Sequence, residues 1–338
     1  MDSKREPFKT KDSNQILYTG DQRKKRLLAI GPKFSLTDKF TSLGSAFTAK
    51  IAEVPTRQVQ PNINAATESI LSEHWGEELV LAMGTIDMHI EQEYALDIFK
   101  SMMVNQSRQT LKACDIPKSV TPEMRAVLVD WLVQVHVHKI HTALLQLLAA
   151  SCLFLACKIE ERLIPEPAEL CFMMEDAFSK KELLKMERKV LSHLKFELHY
   201  VQPLHFLRLL CIIGKCSQKI LYLSMYFMEL TLLDADGSMI EPALLAIGAL
   251  NLAQRVSLEA GSLTTGEVWH EAQQLFSYSD SQLCSCQHLM ARTALRVGSS
   301  GHKSTLHKYS RAQRLGVSTG PSMANSKHLV RCMRTLNT

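Results

Sequence analysis

From Ile86 onward, the apolar positions of this 338-residue chain recur three and four residues apart. That is the period of one helix face, and few stretches alternate as strands do. Ile90, Tyr94, Ile98 and Met102 predict an amphipathic helix from Glu91 to about Met103. Asp115-Ile116-Pro117 then breaks the chain, and Thr121-Pro122-Glu123 opens a second helix. Thr caps, Pro fits the first turn, and Glu suits the positive end of the helix dipole. This helix carries Met124, Val127, Leu128, Trp131, Leu132 and Val135 on one face. The stretch Leu144–Ile159 is apolar nearly all round, which predicts a helix in the middle of a bundle.

Pro165 and Pro167 end the next loop and start a short helix, Ala168–Met174. Ser179 with Glu182 is a capping box heading a helix to about Leu194, and Phe196–Pro203 is a linker. A second helical set follows: Leu204–Ile213, Gln218–Leu232, and a helix opened by Glu241-Pro242 that ends near Val256. Thr264 with Glu267 and Ser279 with Gln282 are two more capping boxes, heading helices near Val268–Phe276 and Leu283–Arg296. The expected fold is all-α, with two successive helical bundles each centred on an Ala/Leu-rich helix. Residues 1–85 are mixed and polar with weak periodicity, and read as a disordered head. The bundles occupy 86–200 and 201–296, and residues 297–338 read as a disordered basic tail.

Charge sharpens that division. The formal net charge is +5, yet the stretch from Val297 to the end holds seven Lys/Arg and no Asp or Glu, so everything before it sums to −2. The basic character belongs to a tail, which argues against a specific nucleic-acid-binding domain. Arg23-Lys24-Lys25-Arg26 is the dense basic cluster of the head, read either as a nuclear import signal or as a solvated charge run. Nine cysteines without framework spacing, several inside apolar runs, suggest a reducing, intracellular setting, nucleus or cytoplasm. The longest apolar run, Ala143–Cys157, is broken by Gln146 and is shorter than the roughly 18 residues of a membrane span.

No phosphate-binding glycine loop, metalloprotease helix, nucleophile elbow or kinase catalytic loop occurs, so no enzyme activity and no cofactor are expected. His136, His138 and His141 form the most ligand-like cluster, but 136 and 138 point about 200° apart on a helix. Cys284, Cys286 and His288 split across faces in the same way, so no metal site is expected. The more telling polar groups lie beside apolar faces: Arg125 near Met124 and Trp131, Lys158 at the end of the central helix followed by Glu160 and Glu161, and Glu187 among Leu183, Leu184 and Leu191. Charges so placed need partners. Two arrangements remain open for the lysine and glutamate: an outward-facing pair that bonds a partner's backbone, or a salt bridge within the domain.

The run Met124-Arg125-Ala126-Val127-Leu128-Val129-Asp130-Trp131-Leu132-Val133 resembles the first helix of a cyclin box, as in mitotic cyclins. Lys158-Ile159-Glu160-Glu161 resembles the signature after the box's central helix, and Phe178 through Glu187 resembles the start of its fifth helix. The likeness covers about residues 90–296, strongly to 200 and loosely beyond, and the Leu163-Ile164-Pro165-Glu166-Pro167-Ala168 stretch and the divergent second half are most similar to cyclin P, the cyclin-N-terminal-domain-containing relatives. It implies a non-catalytic regulatory subunit that binds and activates a cyclin-dependent serine/threonine kinase. The residues matching Lys158 and Glu187, with Ile159 and Glu161, would reach the kinase's regulatory helix and its flanking loop. Those matching Met124, Leu128 and Trp131 would form a shallow apolar patch for substrate or inhibitor peptides, though Leu128 and Trp131 read equally well as core.

One feature departs from the family. Trp131 and Lys158 lie 27 positions apart. The family's spacing is longer by roughly twenty residues, about one helix plus a loop. The second helix of the first box is expected to be missing, and with it the Asp that normally pairs with the Arg matching Arg125. Breaking a buried pair typically costs about 3–5 kcal/mol, and the central helix loses one wall of its packing. The alternative expectation is therefore a non-activating scaffold or variant whose damaged box binds no kinase.

Overall fold

The computed structural model describes residues 76–86, 92–110, 121–134, 143–263, 276 and 278–334. Apart from Glu175–Ala177, these belong to one compact unit. No strand occurs among them. In chain order the helices are α1 (Gly76–Ile86), α2 (Ala95–Gln109), α3 (Pro122–Gln134), α4 (Ala143–Glu160), α5 (Pro167–Met173) and α6 (Lys180–His193). They continue as α7 (Pro203–Ile213), α8 (Gln218–Thr231), α9 (Pro242–Glu259), α10 (Asp280–Arg296), α11 (Ser304–Ser310), α12 (Pro321–Ala324) and α13 (Lys327–Arg334).

The starts of these helices follow from their capping residues. The amide of Met124 donates to Thr121 Oγ1 at 3.2 Å ahead of α3. Ser179 and Glu182 cap each other reciprocally at α6, Ser279 and Gln282 do the same at α10, and Ser217 accepts from the Ile220 amide at α8. Each such cap satisfies amides that the first turn leaves orphaned. The box at Thr264 and Glu267, and residues 268–275 of the helix it was expected to head, lie outside the described residues, as does the His136–His141 cluster.

The core sits in the second bundle. Helix α9 is its axis, packed by α7, α8, α10 and α13, and every residue from Pro242 to Leu250 is buried. Small residues at Ala243, Ala246, Gly248, Ala249 and Ala253 let its neighbours approach closely. At Gly248 a Cβ would lie 2.8 Å from Cys286 Sγ on α10, so only glycine fits there without displacement. Helix α2 precedes the first bundle in sequence, but its buried face joins the second. Phe99 meets Phe206 and Phe276 with ring centroids 6.2 and 5.9 Å apart, and Gln106 Oε1 accepts from the Ala243 amide at 2.8 Å.

Both expected disordered ends are corrected where they are described. Residues 76–85 form most of α1, with Leu79, Ala82 and Met83 buried against α2 and α7. The basic stretch after Val297 is likewise folded. Its charges lie on the surface or in pairs, while Val297, Tyr309, Val317 and Leu329 are buried. Lys308 Nζ donates to both carboxylate oxygens of Glu229 at 2.8 Å, and the Tyr309 hydroxyl donates to the same carboxylate at 2.5 Å. Counting charge alone hid a widely spaced apolar set, which acts only once α8, α9 and α10 supply the surface it covers. Residues 1–75, including Arg23, Lys24, Lys25 and Arg26, lie outside the described residues.

The first bundle is smaller: α4 packs on α3, α5 and α6. It buries Leu147, Ala150, Ser151, Phe154 and Leu155, but Leu148, Cys152, Ala156 and Ile159 are exposed. The helix is therefore not enclosed on all sides, as its all-round apolar sequence led one to expect, and an uncovered stripe runs along it.

The close approach at Gly248 makes a direct prediction. Gly248→Ala should lower stability by about 1–3 kcal/mol through overpacking, read as a lower urea midpoint at unchanged slope. Combining it with Cys286→Ala, which removes the opposing sulfur, should recover most of the loss.

Candidate functional site

Two helices build the site. Lys158 lies in the last turn of α4, where a cation suits the negative end of the helix dipole. Glu187 lies midway along α6 beside Leu183 and Met186, all three buried. Packing of α6 on α4 brings the two side chains together, and Lys158 Nζ donates to Glu187 Oε1. The same ammonium sits 4.2 Å from the centroid of the Phe154 ring, one turn back on α4. The glutamate side chain is 8% exposed and the lysine 37%, so the carboxylate is held from below and the cation reaches the surface. Of the two arrangements the sequence left open, the chain by itself adopts the internal salt bridge, with its lysine end still accessible.

Exposed apolar residues follow Lys158 along the chain, interleaved with the exposed Glu160, Glu161, Arg162 and Glu166. Ile159 is 53% exposed, as are Leu163 at 89%, Ile164 at 52% and Phe172 at 72%. Sequence reading singled out Ile159 but missed the other three. Leu163 and Ile164 directly precede Pro165, and Phe172 lies on the short helix α5 beside the buried Leu170 and Cys171. Glu161 is exposed at the edge of this surface. Glu160 is engaged with the linker, accepting from Gln202 Nε2 at 2.9 Å.

The expected docking residues lie on α3. Its buried positions are Ala126 and Asp130, one turn apart, and Met124 and Leu128 occupy the opposite flank, half-buried. The side chain of Trp131 lies outside the described residues. Asp130 is fully buried, and its Oδ1 accepts from the Ser304 amide at 2.9 Å, so α3 is tied to the start of α11. Neither Asp130 nor Ser304 was singled out from the sequence.

Arg125 has a replacement for the Asp that the shortened box was expected to lack. Its Nη1 donates to the Leu232 carbonyl, just past the end of α8, with the Asp234 carbonyl 3.5 Å away. Burial lowers the guanidinium's pKa, and the nearby Asp234 opposes that shift. The Asp234 carboxylate is engaged by Arg292, at 2.5 Å. Arg125 therefore fastens α3 to the second bundle through carbonyls at a helix C-terminus, the negative end of that helix's dipole. The Cys284–His288 cluster also divides as helix geometry requires, with Cys284 exposed and Cys286 buried.

This arrangement has the chemistry of a binding face: a charged pair with a fixed carboxylate, an accessible cation and exposed apolar residues on the segment that follows it. Family models match both bundles. The cyclin N-terminal domain matches residues 137–199, and the cyclin C-terminal domain matches residues 201–323. The second match runs well into the stretch expected to be disordered, whereas the first begins beyond the end of α3. Among curated relatives, the G2/mitotic-specific cyclin-B2 of Oryzias javanicus is 30% identical over 300 residues, covering 79% of this chain and 77% of the relative. Cyclin-B2 of Bos taurus is 31% identical over 261 residues, covering 70% and 64%. Cyclin-B1 of Xenopus laevis is 28% identical over 256 residues, covering 68% and 63%. A viral cyclin from herpesvirus saimiri superposes with a TM-score of 0.46 at 16% identity, over 58% of this chain and 97% of its own.

The orientation of Glu187 depends on the helix that carries it. Ser179→Ala removes the side-chain cap of α6, and loss of such a cap typically costs about 1 kcal/mol. Amide exchange at Glu182 and Leu183 should then speed up roughly fivefold, while α9 keeps its wild-type protection.

Proposed function

The chain belongs to the cyclin family, a family of regulatory subunits rather than enzymes, and from that premise we propose that it binds and activates a cyclin-dependent serine/threonine kinase through the face around Lys158 and Glu187. Homology to mitotic B-type cyclins supports a cyclin-dependent kinase regulatory role in general. The observation that carries the finer reading is the set of exposed apolar residues Ile159, Leu163, Ile164 and Phe172 on the segment that follows Lys158, a lysine whose partner carboxylate is already buried. Solvent-exposed Leu, Ile and Phe following one charged pair mark a surface meant to be covered.

Activation works by population shift. A kinase samples inactive and active placements of its regulatory helix, and a partner that contacts the active placement better draws it inward. Lys158 presents a strong donor at the end of α4 for carbonyl groups of the kinase. Glu187 holds that donor in register and accepts from the kinase's own amides. Ile159 supplies apolar area, and Glu161 contributes charge at the edge. The phosphoryl-transfer chemistry remains with the kinase. Met124 and Leu128, on the flank of α3 opposite Asp130, together with Trp131, form a second surface for substrate or inhibitor peptides. No helix among the described residues is long and apolar enough to cross a membrane.

A second reading is favoured by a specific observation. The alignment with the bovine relative spans 261 positions but only 70% of this chain, leaving roughly two dozen positions of the relative unmatched. That is the size of one helix with its loop, and the exposed stripe Leu148, Cys152, Ala156 and Ile159 is what a lost neighbour would leave behind. On this reading the first box lacks its second helix, and the chain is a non-activating interaction scaffold. Affinity capture from cells separates the two. Kinase should co-purify with the wild-type chain, and with Lys158→Ala/Glu187→Ala at least tenfold less. Capture only by a version with a second helix inserted after His136 would establish the scaffold reading.

A further inference from the structure

Helix α7 ends in a motif that brings two thiols together. Gly214 is the C-cap, and Lys215 takes a left-handed conformation with φ of 47°. The Cys216 amide donates to the Cys211 carbonyl at 2.8 Å, and the Lys215 amide to the Ile212 carbonyl at 3.1 Å. These two bonds define a Schellman end, in which the side chains at the positions of Cys211 and Cys216 meet and are ordinarily apolar. Here the two paired positions are both cysteines, and the Cys216 thiol donates to the Gly214 carbonyl at 3.7 Å.

The surroundings treat the two sulfurs differently. Cys211 belongs to the core of the second bundle, whereas Cys216 is half-buried. Gln254, 2% exposed in the middle of α9, turns its amide toward Cys216 Sγ, with Nε2 3.9 Å away. The hydrogen bond from Cys211 lowers the pKa of Cys216 against the opposing effect of burial, and Gln254 adds to the lowering. The hydrogen bond to Cys216, with burial, raises the pKa of Cys211 strongly. A half-buried thiol held at a helix end beside a core thiol is the arrangement of an attacking and a resolving cysteine.

We propose that Cys211 and Cys216 form a reversible oxidation site, closed to a disulfide by a small hydroperoxide. The Cys216 thiolate attacks one peroxide oxygen and the O–O bond breaks, leaving Cys216 as a sulfenic acid and releasing hydroxide, which takes up a proton as water. The Cys211 sulfur then attacks Cys216 Sγ. The S–O bond breaks, and the departing hydroxide carries off the Cys211 proton as a second water. Two thiols and one hydrogen peroxide thus become one disulfide and two waters. Two equivalents of a small thiol reverse the step by exchange through a mixed disulfide. The closed bond staples the turn between α7 and α8.

The test uses the full chain. It is treated with one equivalent of hydrogen peroxide, its remaining thiols are alkylated, and it is digested with trypsin, which cuts after Arg208, Lys215 and Lys219. Peptides Leu209–Lys215 and Cys216–Lys219 should appear joined, lighter by two hydrogens than their sum, and separate on treatment with dithiothreitol. The exposed Cys152 and Cys284, in the same sample, should react more slowly. Cys211→Ala should stop at a sulfenic acid on Cys216, trapped by dimedone. If that core variant fails to fold, the wild-type digest still decides. Oxidation of Cys152 or Cys284 while both peptides remain separate and alkylated would overturn the proposal.

Discussion

Everything described in this chain leans on the burial of α9. An eighteen-residue helix with nine consecutive buried residues at its start can exist only if other elements cover it on all sides. Its alanines and Gly248 set how near those elements come. Because the neighbours pack on small residues, they lie close, and the fit is intolerant of added volume, as the Cys286 sulfur against Gly248 shows. The N-terminal α1 and α2, the C-terminal α12 and α13, and the four helices α7, α8, α10 and α9 itself are one packing problem solved around a single axis.

Polar ties then extend that axis outward. Gln106 fixes α2 to the start of α9 by accepting from the Ala243 amide, a group the first turn of any helix leaves unpaired. Glu229 gathers Lys308 and Tyr309 and so draws α11 against α8. From α11 the Ser304 amide reaches Asp130, and from the end of α8 the Leu232 carbonyl reaches Arg125. Helix α3, the first helix of the first bundle, is thereby held by the second bundle as well as by α4. The cost expected from an unpartnered arginine is offset by backbone carbonyls at a helix end. The cost to α4 is not offset in this way, and Leu148, Cys152 and Ala156 remain in solvent.

The proposed binding face follows from the same economy of covering. Helices α4 and α6 bury enough of each other to fix Glu187, and Glu187 fixes Lys158. Among the described residues no further element lies over Leu163, Ile164 and Phe172, which are exposed. Uncovered apolar area beside a preorganised charged pair is costly for an isolated chain and useful to a complex, since little ordering remains to be done on binding. A small first bundle resting on a well-packed second one divides the work, with one presenting a surface and the other supplying stability.

The sequence by itself determined the all-helical class, the positions of most helix starts, the pairing of two bundles and the family. These rest on local chemistry: apolar period, capping boxes at Ser179 and Ser279, prolines at first turns, and the motifs around Met124, Lys158 and Glu187. Only the tertiary structure decided that residues 76–85 and the stretch after Val297 are folded. Leu79–Met83 is too short an apolar run to declare a helix, and the apolar residues after Val297 are widely spaced; both become decisive only against surfaces built by distant segments. The same holds for the partners of Arg125 and Asp130, which lie 107 and 174 positions away. It holds too for the choice between an outward-facing and an internal Lys158–Glu187 pair. A sequence records which groups must find partners, and the packing of remote helices decides which partners they find.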